Sequence, residues 1–280
     1  MNDVSAPSPA LVWATRLVLV AGGLGAWEYF ASTGRIDVFF WGRPSMITAQ
    51  LVAWAQTTLL RDLIVTLEEA FIGLAIGTVG GIALGIFLGL SRFWRKTLQP
   101  FIDLANSTPR IALAPLFLLW FGLGIASKVG VVTSIVFFIM LINTQEGVMS
   151  INPDFFRLIR VLGADRFTSI WYVVLPACIA WIKAGLRLSI PYAIAGAVVA
   201  EFVAANEGLG YRLVQQASGL NASGTLAVVF VLAVLGSLFS ALSNRLLAEP
   251  RRRPTVDLQD RTEQSATQLV DTSHIRKGAA

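Results

Sequence analysis

Long apolar runs alternate with short polar stretches along most of the chain, and six runs are candidate membrane crossings: 11–31, 64–90, 111–126, 129–144, 176–200 and 225–247. A crossing helix needs about 20 mainly apolar residues. The third and fourth runs are short and could form one long buried helix, but Gly122, Gly124 and Ser127 between them favour a turn. The first run carries Arg16 and Glu28 near its ends. It lacks a small-residue cleavage site after a basic start, so it reads as a retained span and not a signal peptide.

Finer patterns sit on this frame. In the second run Gly73, Gly77, Gly81, Gly85 and Gly89 recur every four residues, with Gly80 beside them. That spacing lines them along one helix face, where bare backbone lets helices approach closely in lipid. An ordinary tight contact explains the row; a sliding or pore-lining seam is the sharper alternative. Residues 44–61 read as an amphipathic helix with Leu51, Trp54, Ala55 and Leu59 on one side, lying at the outer surface.

The fourth and fifth runs are separated by a polar island. Asn152 can cap a helix whose first turn holds Pro153, and Gly163 can end it in a left-handed conformation. Asp165 can cap a second short helix, and Pro176 bends or restarts the chain as it re-enters the membrane. The product is a helix–turn–helix foot carrying Arg157, Arg160 and Arg166, shaped for something to dock against it. Beyond Glu249 the chain turns polar, with Arg251, Arg252 and Arg253 between two prolines, and reads as a disordered extension.

Charge gives the orientation. Only 14% of residues are charged against 55% hydrophobic, where a soluble domain carries about 25% charged. Fourteen Lys and Arg fall on one side: Arg92, Arg95, Lys96 and Arg110, the three island arginines, and seven in the tail. Five fall on the other: Arg35, Arg43, Arg61, Lys128 and Arg212. Positive residues stay inside, so both termini and the island are expected in the cytoplasm. Membrane topology accounts for the net charge of +5, and nothing suggests nucleic-acid binding. Cys178 is the only cysteine and His274 the only histidine, which excludes an internal disulfide, a Ser-His-Asp triad and an HExxH zinc site. No phosphate-binding Gly-x-x-x-x-Gly-Lys loop is present.

The island resembles the cytoplasmic loop of permease subunits of binding-protein-dependent ABC importers. That loop has a Gly followed after nine residues by Ile, one further residue and Leu-Pro; here Gly163 is followed after nine residues by Val173, Val174 and Leu175-Pro176. The Glu-Ala-Ala that opens the family motif is replaced by Arg157, Leu158 and Ile159. Two further phrases, Thr108 to Gly124 and Ala197 to Tyr211, are similar to the branch that carries sulfonates, taurine, nitrate and related small solutes. The resemblance covers about residues 40–247.

It implies an all-α integral membrane protein with the type I importer fold: six transmembrane helices, a cytoplasmic coupling helix, and no cofactor of its own. ATP and Mg would be bound by partner ATP-binding subunits. A soluble or lipid-anchored solute-binding protein and a second permease copy complete the implied assembly in the bacterial inner membrane. The coupling loop would comprise Asp154, Arg157, Arg160, Gly163, Ala164, Asp165, Arg166, Leu175 and Pro176. The expected divisions are a cytoplasmic tail to residue 10, the first span and outer segment at 11–61, the transmembrane domain at 62–247 and the tail at 248–280.

Charges inside spans are candidates for the solute path. Lys183 and Arg187 share a face of the fifth run and either meet an anion or snorkel to headgroups. Glu201 and Glu207 near its far end either contact the binding protein or a gate, or are solvated; Arg187 and Glu201 are taken as path candidates. A secondary transporter would want acidic or His residues mid-span and internal repeats, and an intramembrane enzyme would want a base beside Cys178 or Ser189. Neither pattern is evident.

Overall fold

The computed structural model describes residues 8–247 apart from 162 and 164, and the extension after 247 falls outside the described residues. All regular elements among them are helical. Helix α1 (Pro9–Ser32) is followed by the short α2 (Val38–Trp41) and α3 (Pro44–Ala55). Helix α4 (Leu59–Leu90) is long, and α5 (Arg92–Ser107) follows a single residue later. A 3-10 turn (Arg110–Leu113) leads to α6 (Ala114–Phe121), then α7 (Ile125–Met149). The foot contains α8 (Pro153–Val161) and α9 (Arg166–Ser169). A π-helical turn (Ile170–Val174) joins α9 to α10 (Leu175–Ala204), and α11 (Leu209–Ser218) and α12 (Ala222–Leu246) complete the chain.

The glycine row sets the central packing. A Cβ on Gly73, Gly77, Gly81 or Gly89 would lie 2.5–2.8 Å from the Cβ of Val132, Val136, Met140 or Val148 respectively, and one on Gly85 would lie 2.8 Å from that of Thr144. Every pair is offset by the same number of residues, so α4 and α7 run parallel with backbones nearly touching. The row is a tight helix contact and not a pore-lining seam. Helix α10 runs the other way across α7: Gly147 faces Trp181, Gly185 faces Asn143 and Gly196 faces Ile135.

Two parallel helices need a return crossing between them, and the third predicted span alone cannot supply it. Residues 110–121 form only a short apolar stretch, about 18 Å long at 1.5 Å per residue. The return is a composite of α5, the 3-10 turn and α6, lying antiparallel along α7. Gln99 accepts from Gln145 at 3.0 Å, Ile102 packs with Leu141, Arg110 stands over Phe138, and Phe117 fills the space before Gly130. The stretch read from sequence as a loop with Arg92, Arg95 and Lys96 is the N-terminal half of this crossing. Its polar face hid it from a search for apolar runs. The turn at Gly122 and Gly124 is present, with φ of +72° and +146°.

The remaining elements close the bundle. Glu28 near the end of α1 accepts from Ser45 N and Oγ, both at 3.0 Å, and from the Arg43 guanidinium, tying α1 to the start of α3. Helix α3 does not lie free on a surface and ends at Ala55: Trp54 is buried, and Ile47 and Leu51, with Leu59 at the start of α4, pack on the main core with Ala227 and Val228 of α12. The start of α1, the C-terminal ends of α4, α7 and α12, and the foot therefore share one face. The end of α1, helices α2, α3 and α11, and the start of α4 share the other.

Candidate functional site

The foot is built by local hydrogen bonding. Asn152 Oδ1 accepts from Asp154 N at 2.9 Å, and Pro153 occupies the first turn of α8, where an amide would have no partner anyway. Asp154 pairs with Arg157 at 2.9 Å, both well exposed. Gly163 has φ +80° with open space where a Cβ would go, a backbone that L side chains resist. Asp165 Oδ1 accepts from Thr168 N at 2.8 Å, capping α9. The hydrogen bonds from Thr168 hold the Asp165 carboxyl below the usual range. The side chains of Arg160 and Arg166 and residue Ala164 lie outside the described residues.

Pro176 does not break the chain. It sits in the first turn of α10, and the turn before it widens to π geometry, with Leu175 N donating to Ile170 O. A proline removes one amide and crowds the carbonyl four residues back; the π-turn absorbs both costs. Helical backbone is therefore continuous from Arg166 to Ala204. Beneath the foot a cleft of about 1050 Å³ opens between Phe87, Gly89, Trp94, Val148, Phe156 and Asp165.

At the opposite face, four elements meet in a buried polar cluster. Lys128 Nζ donates to Glu69 Oε1 at 2.6 Å, with side chains 8% and 1% exposed. Glu201 is 1% exposed and accepts from Thr66 Oγ1 at 2.7 Å and from Gly210 N. Leu209 N donates to Thr66 Oγ1 at 2.9 Å, and Gly208 N to Asp62 Oδ1 at 3.2 Å. The carboxylates thus hold the free amides at the start of α11. A Cβ on Gly208, where φ is +110°, would fall on the Glu201 carboxylate. Asp62 also pairs with Arg212, which stacks over Trp54 with its guanidinium 4.9 Å from the ring centre. Glu207 pairs with Arg61.

These positions separate the two path candidates. Glu201 belongs to the cluster bracing α11 and does not face open space. Arg187 donates from Nη2 to Leu247 O at 2.6 Å, binding a carbonyl at the end of α12; Lys183 is half-buried on the same helix. Cys178 is a buried free thiol. Sequence reasoning missed Lys128 because the fourth run was started one residue too late, and it assigned no role to Glu69. The signal was present: Glu69 is the next position in the four-residue row that begins at Gly73.

The described residues thus form an all-helical bundle with two parallel glycine-packed helices, a composite return crossing and a capped foot continuous with a long helix. Residues 81–253 match the family described as binding-protein-dependent transport system inner membrane component, and the chain belongs to that family. It is an integral inner-membrane permease of the type I importer fold. It is similar to the formylaminopyrimidine transport permease protein ThiX of Halalkalibacterium halodurans, 34% identical over 72% of this chain and 81% of the relative. It is also similar to the taurine transport system permease protein TauC of Escherichia coli, 30% identical over 80% and 85%. The inward-facing MetNI methionine ABC transporter shares the fold at 19% identity, with TM-score 0.62 over 69% of this chain and 96% of that one. A bacterial alginate ABC transporter, solved with an alginate-bound periplasmic protein, does so at 17% identity, with TM-score 0.55 over 86% and 91%.

Proposed function

We propose that two copies of this chain form the translocation path of an ATP-driven importer and that ATP-binding subunits dock on the foot at 152–174. A soluble solute-binding protein engages the opposite face, around α3 and α11. Both termini and the foot lie in the cytoplasm. The Lys and Arg bias supports that orientation: with Arg92, Arg95, Lys96 and Arg110 moved into a crossing and Lys128 into the buried cluster, ten still stand against four. The continuous helical backbone from Arg166 to Ala204 carries the reading, because it makes the foot one end of a lever. Nucleotide-driven closure of the partner subunits moves the foot and tilts α10 against the α4–α7 pair. Such coupling needs two conformations that the nucleotide-loaded partner binds unequally.

The solute class is a small sulfonate, taurine, nitrate or similar anion or zwitterion. A pyrimidine is the second reading, favoured by the 34% identical relative. The test is to reconstitute the permease with candidate ATPase and binding-protein subunits from the same genome. Loaded binding protein should stimulate ATP hydrolysis and solute uptake together. Uptake driven by an ion gradient without ATP would establish a secondary transporter and overturn the reading.

A further inference from the structure

The composite third crossing breaks between Ser107 and Arg110, and Ser107 and Pro109 are exposed there. At membrane depth, backbone leaves helical geometry only where protein covers it or water lines it. The residue at the break is Arg110, whose guanidinium lies 4.4 Å over the Phe138 ring. Phe138 stands near the middle of α7, roughly 16–20 Å from either end at 1.5 Å per residue. An arginine at that depth cannot snorkel to a headgroup. Among the described residues it has no carboxylate partner: Nη2 donates to Asn106 Oδ1 at 2.6 Å, and Nε is buried without an acceptor. Asp103, one helical turn before Asn106, accepts from Gln99 at 2.9 Å. Asn106 and Asp103 are themselves exposed along the same helix, and polar surface at this depth is costly against acyl chains.

We propose that Arg110 is the anion-recognising residue of the solute path, and that the carried solute presents a compact oxyanion, such as a sulfonate or nitrate, to its guanidinium. This rests on the importer reading and chooses the oxyanion over the pyrimidine. A guanidinium offers five donors in a planar fork that matches an oxyanion. Phe138 covers one face of that fork, and Nη1 makes no hydrogen bond among the described residues. One unpaired cation attracts an anion at the midplane yet lets it leave.

The test is charge-selective thiol modification in membranes holding the assembled complex. Asn106→Cys in a Cys178→Ala background is exposed to anionic sulfonatoethyl and cationic trimethylammonioethyl methanethiosulfonate, with each rate normalised to a free thiol. With Arg110 present the anionic reagent should react about tenfold faster, and excess methanesulfonate should slow it. Arg110→Gln should bring the ratio near one and Arg110→Lys should keep it. No reaction with either reagent, or a ratio indifferent to Arg110→Gln, overturns the proposal. Should Arg110→Gln be lost from the membrane, Arg110→Lys decides: a retained preference supports the proposal and a lost one overturns it. The modification needs no ATP. A charge preference in a complex whose ATPase ignores the binding protein would therefore sink the importer reading alone.

Discussion

Glu69 and Lys128 meet at 2.6 Å in the same residue register that sets Gly73 against Val132 and Gly89 against Val148. The ion pair is the outermost rung of the α4–α7 ladder. Above it the ladder is nearly self-similar: glycine meets a bulkier residue every four positions, so a slip of one helical turn would find almost the same fit. An ion pair has only one match. Burying two charges costs several kcal/mol per ion before their attraction is counted, so register, more than stability, explains its presence.

We predict that Lys128→Met, which strands the Glu69 carboxylate, destabilises the protein by about 3–5 kcal/mol. The double variant Glu69→Leu with Lys128→Met should recover most of that loss. Thermal unfolding of the detergent-purified permease decides. A double variant as unstable as the single one would mean the pair does more than compensate its own burial.

Glycine substitutions should sort by contact and not by sequence context. A Cβ on Gly81 would lie 2.6 Å from both the Phe137 carbonyl and the Met140 Cβ, whereas Gly236 in α12 has nothing within 4 Å. We expect Gly81→Ala to cost about 1–3 kcal/mol through overpacking and Gly236→Ala to be neutral or slightly stabilising. Equal melting temperatures for the two would contradict the close approach of α4 to α7.

Much of this architecture could be read from residue patterns. The spans built on uniform apolar runs, the cap residues of the foot and the glycine face follow from local periodicity, and the structure places them where the pattern does. The third crossing could not be read that way. Its N-terminal half carries Arg92, Arg95, Lys96, Gln99 and Asp103, so hydropathy marks it as a loop; only its packing along α7 identifies it. Arg110 was misplaced in the cytoplasm for the same reason. The roles of Glu201 and Arg187 depend on amides and carbonyls from α11 and α12, and no local pattern around either residue names those partners.

The bracket at the start of α11 offers a contrast between strain and contact. Gly34 and Gly208 both have positive φ, at +72° and +110°, but Gly34 has open space where Gly208 meets the Glu201 carboxylate. Gly34→Ala should cost about 1 kcal/mol from backbone strain alone. Gly208→Ala should cost clearly more and should loosen α11, visible as faster amide hydrogen exchange over 209–213. Glu201→Gln keeps the shape and one acceptor oxygen, so it should be milder than Glu201→Ala. Indistinguishable exchange in Gly208→Ala and wild type would remove the bracket.

Orientation can be checked with a single thiol. In a Cys178→Ala background, cysteine at Asp154 should resist membrane-impermeant maleimides in intact cells and react once the cells are opened. A cysteine at Met46 in α3, half exposed on the opposite face, should react from outside. Labelling at 154 in intact cells would invert the topology and with it the assignment of the docking face.

Gly163 separates folding from coupling. Its φ of +80° makes any side chain strained, yet nothing lies within 4 Å of a Cβ there. Gly163→Ala should therefore cost only about 1 kcal/mol, and the permease should reach the membrane at near-normal level. Gly163→Trp carries the same strain and adds bulk at the turn between α8 and α9, where the partner ATPase is proposed to seat. Arg157→Ala should change little, because an exposed pair such as Arg157 with Asp154 is worth about 0–1 kcal/mol. We expect Gly163→Trp to abolish solute uptake and binding-protein stimulation of ATP hydrolysis, while Gly163→Ala retains a substantial fraction of both. Stimulation and membrane level are measured side by side in the same reconstituted preparation. Normal stimulation in Gly163→Trp at normal membrane level would mean that the turn does not meet the ATPase, and α10 would then need another input for its movement.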